Sequence, residues 1–277
     1  MNIIQDINDM FPVDAEFNQI YQDMLIAGQE FSKSKNIAIL GLARNINSKS
    51  RYVFRKLRLL RECFNDNSAV YIYENDSIDG TPEAIRSIID QDHYTNKFYL
   101  WSEKLKTKSM PISKSQIRTT NMANARNKCF SMIQNYSEID FVIVIDLDFI
   151  DFSINGLMNS FGWIAKNNSI SAICGNSYIK IPNKHKHEYH NYDSFAFRLN
   201  YWKDREMSWF PFWNLPIGSC PIAVFSGFGG SCIYKSKLYE PLYSGEDCEH
   251  VVLHQKLKNK YDNFKLFYNP SQIMLMD

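Results

Sequence analysis

The chain has 277 residues, enough to bury a sizeable core as one large domain or two smaller ones. Hydrophobic residues make up 45% and charged residues 22%, with a formal net charge of +1, so the composition is that of a globular protein with no global field toward nucleic acid. Six cysteines without CxxC spacing, no signal-peptide pattern and no apolar run near the ~20 residues of a membrane span predict a soluble cytoplasmic protein with reduced thiols. Peripheral contact with a membrane is left open.

Residues 13–32 have the spacing of an amphipathic helix leading into a first strand, NIAILGLA (36–43). A helix over 49–64 follows, in which RKLRLLR (55–61) reads as a solvated face, and then a strand, AVYIYEN (69–75). TPEAIRSIID (81–90) predicts a helix with Thr81 as N-cap and Pro82 at the first position. KFYLW (97–101) is a short strand, 119–135 a helix, FVIVID (141–146) a strand, 154–165 a helix and SAICGNSYI (171–179) a strand. Helices alternating with near-continuous apolar strands predict an α/β fold whose mainly parallel sheet is covered on both faces. From about Lys180 the chain turns richer in aromatics, Pro and Gly, which predicts an α+β extension. HKHEYH (185–190) offers three histidines, but its interspersed lysines favour a mobile loop over a metal site.

Three strand ends are polar together: Ala43, Arg44 and Asn45; Glu74, Asp76 and Asp79 in ENDSIDGT; and Asp146 and Asp148 in IDLD. Such residues also cluster in ordinary turns, but a parallel sheet would bring these three ends to one edge, where ligands collect. Asp146 and Asp148 alternate with Leu147, so on a continuing strand they face the same side and suit one shared cation. Asp151 has the opposite parity and reads as a turn or helix-cap acid. On the helix carrying MANARN (122–127), one face is apolar, which leaves Arg126 on another; with Arg118 it would offer planar guanidinium forks to a diphosphate.

ILGLARN, YENDSIDGT, MANARN and IDLD, in that order and spacing, resemble the GT-A glycosyltransferases over roughly residues 36–255. The wording is closest to capsule mannosyltransferase-like enzymes and those of large DNA viruses. The resemblance implies a Rossmann-like single domain over 1–277, with a nucleotide-sugar-binding half (36–180) and an acceptor-binding, catalytic half (181–277). It implies that the acidic loop after the second strand recognises base and ribose. Asp146 would lie nearer the ribose and Asp148 would be the direct ligand of Mn²⁺ or Mg²⁺. The donor would be a nucleotide diphosphate sugar, UDP-linked in preference to GDP-linked, and the acceptor a glycan or glycoprotein hydroxyl.

In the second half, Gly229 and Gly230 allow either close backbone approach to the donor sugar or a tight turn. Glu246 and Asp247 precede a helix, where capping is the plain alternative; inverting GT-A enzymes place a Glu-Asp pair at a comparable site, which implies Asp247, then Glu246, as general base, while the likeness to capsule mannosyltransferases implies retention instead. The resemblance also implies a third metal ligand from the C-terminal part, assigned to His254. Tyr192, Asp193 and Trp213 suit an acceptor-sugar platform, with Trp202, Trp209 and Phe210 nearby in sequence. Two other readings compete: a HAD-like metal-dependent phosphatase, disfavoured because its Asp-x-Asp normally opens the domain, and a non-catalytic nucleotide-sugar or glycan-binding module.

Overall fold

The computed structural model describes residues 7–91, 97–106, 115–182, 187–199 and 210–277. Helices α1 (Ile7–Met10) and α2 (Asn18–Ser32) precede β1 (Ile37–Ala43), α3 (Ser50–Arg61), β2 (Ala69–Asn75), α4 (Thr81–Gln91), β3 (Phe98–Glu103), α5 (Gln116–Ser131) and β4 (Phe141–Asp146). Then come β5 (Phe149–Phe152), α6 (Ile154–Lys166), β6 (Ala172–Pro182), β7 (His187–Asn191), β8 (Ile222–Val224), β9 (Ser231–Lys235), α7 (Glu249–Lys260) and β10 (Leu266–Met276). They form a mixed α/β fold with a mainly parallel sheet, as the alternation predicts. Two compact units interleave along the chain, one of Lys33–Asp148 with Ile233–Asp262, the other of Met1–Ser32, Phe149–Cys232 and Asn263–Asp277. The halves expected from sequence, 36–180 and 181–277, are consecutive instead.

In the first of these units the strand order is β3-β2-β1-β4-β9, and β1 to β4 pair in parallel. Val70, Ile72, Val142, Ile143 and Ile145 are fully buried, which is why these strands read as apolar runs and not as alternating ones. The register sets the carboxyl ends side by side: Ala43 beside Glu74, Leu42 beside Asp146, and Asn75 beside Glu103. The polar strand ends therefore share one edge.

In the second unit β10 pairs in parallel with β6 and antiparallel with β5 and β8, and β7 pairs antiparallel with β6. Helices α2 and α6 approach to backbone contact, since a Cβ on Gly28 would fall 1.7 Å from the Met158 carbonyl oxygen and one on Gly162 1.9 Å from that of Met24. Three local expectations change here. The segment after Lys186 is strand β7, not a mobile loop, because its backbone pairs with β6; His185 lies outside the described residues. Asp151 lies within β5 and is buried, its carboxylate accepting from the Phe152 amide, and Ser153 caps α6 by accepting from Gly156. The long strand β10 goes unforeseen by the sequence reading.

Candidate active site

Strand β4 ends at Asp146, and Leu147–Asp148 form a bend, so the two acids do not ride a continuing strand. Their common orientation has another cause. Leu147 is 1% exposed and fills the space above Gly41 of β1, where a Cβ would meet its side chain at 2.8 Å. Driving the apolar residue inward turns its two neighbours out: Asp146 is half-buried and Asp148 exposed. The Lys49 ammonium donates to the Asp148 carbonyl at 2.8 Å and fixes the bend from the side.

Arg126 of α5 is buried, not displayed on a solvent face. Its Nη2 donates to Asp146 Oδ1 at 3.0 Å and its Nε to Glu249 Oε1 at 3.1 Å. One guanidinium thus ties the strand end to the first residue of α7. Asn127 exchanges two hydrogen bonds with the Tyr243 backbone, and Thr119 donates to the Gly245 carbonyl at 2.7 Å, so the face of α5 also holds the loop that carries Glu246 and Asp247. Glu249 enters the site unforeseen; the sequence signal for it is the acid triplet before VVLHQKL, of which only this member is buried.

Burial pushes the Asp146 carboxyl up to about 7; Arg126 opposes the shift, while Asp148 and Glu249 add to it. Carboxylates around Asp146 therefore outnumber the one buried cation, and the hard oxygens of Asp146 and Asp148 fit a divalent Mn²⁺ or Mg²⁺. Among the described residues no three His, Cys, Asp or Glu side chains gather as a metal-holding group. His254 does not complete one: it is 0% exposed, its Nε2 lies 2.8 Å from the Tyr234 hydroxyl, and burial pulls its pKa down to about 3.

The acidic loop is built by its own carboxylates. Glu74, 1% exposed, accepts from the Ser77 amide at 2.9 Å and from the Ser102 hydroxyl. Asp76, at φ +56°, accepts from the amides of Leu105 and Lys106. Asp79 accepts from the Thr81 amide and hydroxyl and from the Asn47 amide, so it, and not Thr81, caps α4. Asn45, at φ +53°, bridges to this loop: its side-chain Oδ1 accepts from the Ile78 amide and its own amide donates to Ser77 Oγ. Between Ala43 and Asn45, Arg44 has an Nη1 that is buried without a hydrogen-bond partner among the described residues. That is a cationic donor held at the strand-end edge. Arg118 is half-buried in the first turn of α5, whose N-cap is Ser115.

Of the other candidates, Glu246 is exposed and Asp247 half-buried, accepting from the Cys248 amide at 2.7 Å. A hydrogen bond from Ser244 holds the Glu246 carboxyl below its usual range. In the second unit, Gly229 (φ +56°) and Gly230 (φ +73°) form a turn packed on protein: a Cβ would meet the Gly175 carbonyl oxygen at 2.1 Å and Met274 Sδ at 2.2 Å, respectively. Asp193 accepts from the Gly229 amide at 3.0 Å and so fastens this turn, while neighbouring Tyr192 is 44% exposed. Trp213 packs among Phe197, Phe210 and Tyr268 at ring separations of 5.1, 5.9 and 5.4 Å, as part of an aromatic cluster. Trp202 and Trp209 lie outside the described residues.

Parallel strands that end together in an Asp-x-Asp bend and an acidic loop define the GT-A glycosyltransferase fold class. The sequence matches the family described as Cryptococcal mannosyltransferase 1 over residues 41–262, and the chain belongs to that family. It is similar in structure to mannosyltransferase PcManGT from Pyrobaculum calidifontis, solved in complex with GDP-Man and Mn²⁺: TM-score 0.52, 13% identity, 94% of this chain and 65% of that one. It is also similar to glucosyl-3-phosphoglycerate synthase from Mycobacterium tuberculosis, solved with Mn²⁺, UDP and phosphoglyceric acid: TM-score 0.51, 11% identity, 94% of this chain and 73% of that one. At such identities the likeness shows the fold alone, and the chain spans less than two thirds of the Pyrobaculum enzyme. Comparison with the curated proteins finds no match. Among the described residues no helix is long and apolar enough to cross a membrane.

Proposed function

We propose that this protein is a metal-dependent glycosyltransferase that moves a hexose from a nucleotide diphosphate sugar to a hydroxyl of a glycan. The observation that carries the reading is the Asp146–Arg126–Glu249 chain beside Asp148, at the shared carboxyl edge of β1, β2 and β4. Asp146 and Asp148 would hold a divalent cation, which when bound would supply Lewis-acid stabilisation to a departing nucleoside diphosphate. Arg126 fixes the Asp146 rotamer, and the buried Nη1 of Arg44 offers a charge-assisted hydrogen bond to a phosphate oxygen. Arg118 adds a second cation from the first turn of α5. The loop fastened by Glu74, Asp76 and Asp79 forms a rigid wall for base and ribose. Asp247 takes the proton of the attacking hydroxyl, in an inverting displacement; Glu246, exposed and bonded by Ser244, stands second.

A mannosyl donor carried by GDP is favoured by the family's description and by the ligand of the Pyrobaculum complex; UDP-sugars form the second arm of the test. The protein is incubated with Mn²⁺ and a panel of GDP- and UDP-sugars, and nucleotide release is measured with and without EDTA. Metal-dependent release from at least one donor is expected; a folded sample that binds and turns over none overturns the reading. Asp148→Ala is expected to abolish metal-dependent donor binding while leaving stability within about 0.5 kcal/mol, because the side chain is exposed. Unchanged turnover in this variant would remove Asp148 as a metal ligand.

A further inference from the structure

Helix α3 has a charge pattern that the donor site does not use. Its twelve residues, SRYVFRKLRLLR, hold five cations and no acid, against +1 for the whole chain, which leaves −4 for the rest. Positive charge is thus segregated onto one helix. Val53, Phe54, Leu57 and Leu60 are at most 4% exposed, and Phe54 stacks on Phe98 of β3 at 5.4 Å, which fastens this face to the sheet. Arg61 also turns inward, donating to the Ser68 and Asp66 carbonyls at 2.9 and 3.0 Å. With the inner face fixed, Arg51, Arg55 and Leu59 point outward at the spacing of one helical stripe, flanked by half-buried Lys56 and Arg58.

Little in the fold neutralises this stripe. Among the described residues Arg51 and Arg55 make no ion pair, and Arg55 lies over the Tyr52 ring at 5.6 Å. Arg58 reaches Glu62 at 3.8 Å, an exposed contact of little strength. Helix α4, packed beside α3, exposes Glu83 and Asp90 with Arg86, so the positive stripe ends at that boundary. The stripe runs along a helix about 18 Å long. Arginines around an exposed leucine fit a layer of phosphates with hydrocarbon beneath it. The guanidinium groups meet headgroups, and Leu59, 39% exposed, reaches the acyl boundary. A nucleic acid would match the arginines but leave Leu59 in water.

We propose that the outer stripe of α3 docks this protein on an anionic lipid surface. The docking does not rest on the transferase reading. Combined with that reading it sets the reaction beside a bilayer, because α3 begins at the carboxyl edge, where Lys49 bonds the Asp148 carbonyl. The full chain, without donor or metal, is sedimented with vesicles of phosphatidylcholine alone and with about one third phosphatidylserine, at about 0.1 M and about 0.5 M salt. Binding is expected to the anionic vesicles only, and less of it at the higher salt. Each cation at such a surface contributes a factor of about five. Arg51→Ala combined with Arg55→Ala should therefore weaken binding roughly 25-fold and leave melting and donor turnover unchanged. Should the double variant melt early, each single variant decides, with an expected loss of about fivefold. No vesicle binding, equal binding to neutral vesicles, or anionic binding that survives the substitutions overturns the proposal. Retention by duplex DNA or RNA without vesicle binding overturns it too, and makes the stripe a nucleic-acid contact. Vesicle binding by a chain that turns over no donor would keep the docking surface and remove the transferase reading, and turnover without vesicle binding would do the reverse.

Discussion

Replacing Arg126 by Met keeps the aliphatic stem of the side chain and removes the cation that joins Asp146 to Glu249. The guanidinium is 4% exposed and makes two carboxylate contacts, at 3.0 and 3.1 Å. At an effective dielectric near 20, a charge pair at such distances attracts by about 5 kcal/mol before desolvation is counted. Taking away one partner of a buried pair costs about 3–5 kcal/mol, because the other is left buried and uncompensated. Two carboxylates are stranded here, so a loss near the upper end is expected, with melting lowered by on the order of 10 °C for a chain of this size. Arg126→Lys restores the charge but cannot fork to two acids, and it should recover part of the stability while leaving donor turnover low. The assays are a melting curve without metal and nucleotide release with Mn²⁺ for each variant. If Arg126→Met melts with the wild type and turns over donor at the same Mn²⁺ concentration, the bridge holds neither the fold nor the site.

Gly41→Ala should act at the bend without touching either acid: its new Cβ would press Leu147 from 2.8 Å, costing about 1–3 kcal/mol and raising the Mn²⁺ concentration needed for half-maximal turnover. A loss of stability with unchanged metal dependence would show that Leu147 does not set the aspartates. Acid should unfold the protein through His254. Its folded pKa of about 3 lies below the ~6.5 of an unfolded histidine, so below pH 6.5 only the unfolded state takes the proton and stability falls as pH falls. Between pH 6.5 and 5 this amounts to about 2 kcal/mol, and His250, whose pKa burial also lowers, acts in the same direction. Asp146, raised to about 7 by burial, takes up its proton in the fold over the same range and acts in the opposite direction. The difference between wild type and His254→Phe in chemical denaturation at pH 7 and pH 5 therefore measures the histidine: the variant should be about that much less destabilised by acid, and an identical pH dependence in the two would refute the assignment.

The parallel layer was legible because β1, β2 and β4 are covered on both faces, and such strands declare themselves as unbroken apolar runs. Their shared carboxyl edge follows from the same parallel pairing, which is how acids far apart in sequence could be expected at one place. The Arg126–Glu249 contact spans 123 residues and has no local trace. Read by periodicity, Arg126 falls outside the apolar stripe of α5. In the structure it shares the inner face with Thr119 and Ala123, all buried, and small residues three and seven positions before a long cation were the available sign of a closely packed face with room for it. The bend at Leu147 escaped for a related reason: alternation of Asp, Leu and Asp fits a strand as well as a bend, and only the glycine opposite distinguishes them.

Strand β10 shows why buried polarity misleads a reading by hydropathy. Asn269, Ser271 and Gln272 interrupt its apolar run and look like a turn, yet all three are at most 2% exposed. Asn269 donates to Asn159 and Ser160, Ser160 donates to Gln272, and Gln272 donates to Ser231, while Ser271 accepts from the Gly218 amide. The pairing of β10 with β6 shifts register across this stretch, between Tyr268 and Ile273, and resumes beyond it. Polar residues can thus be buried in this fold when each finds a partner along the chain of amides and hydroxyls. Asn191 is buried to a similar degree and has no side-chain hydrogen-bond partner among the described residues.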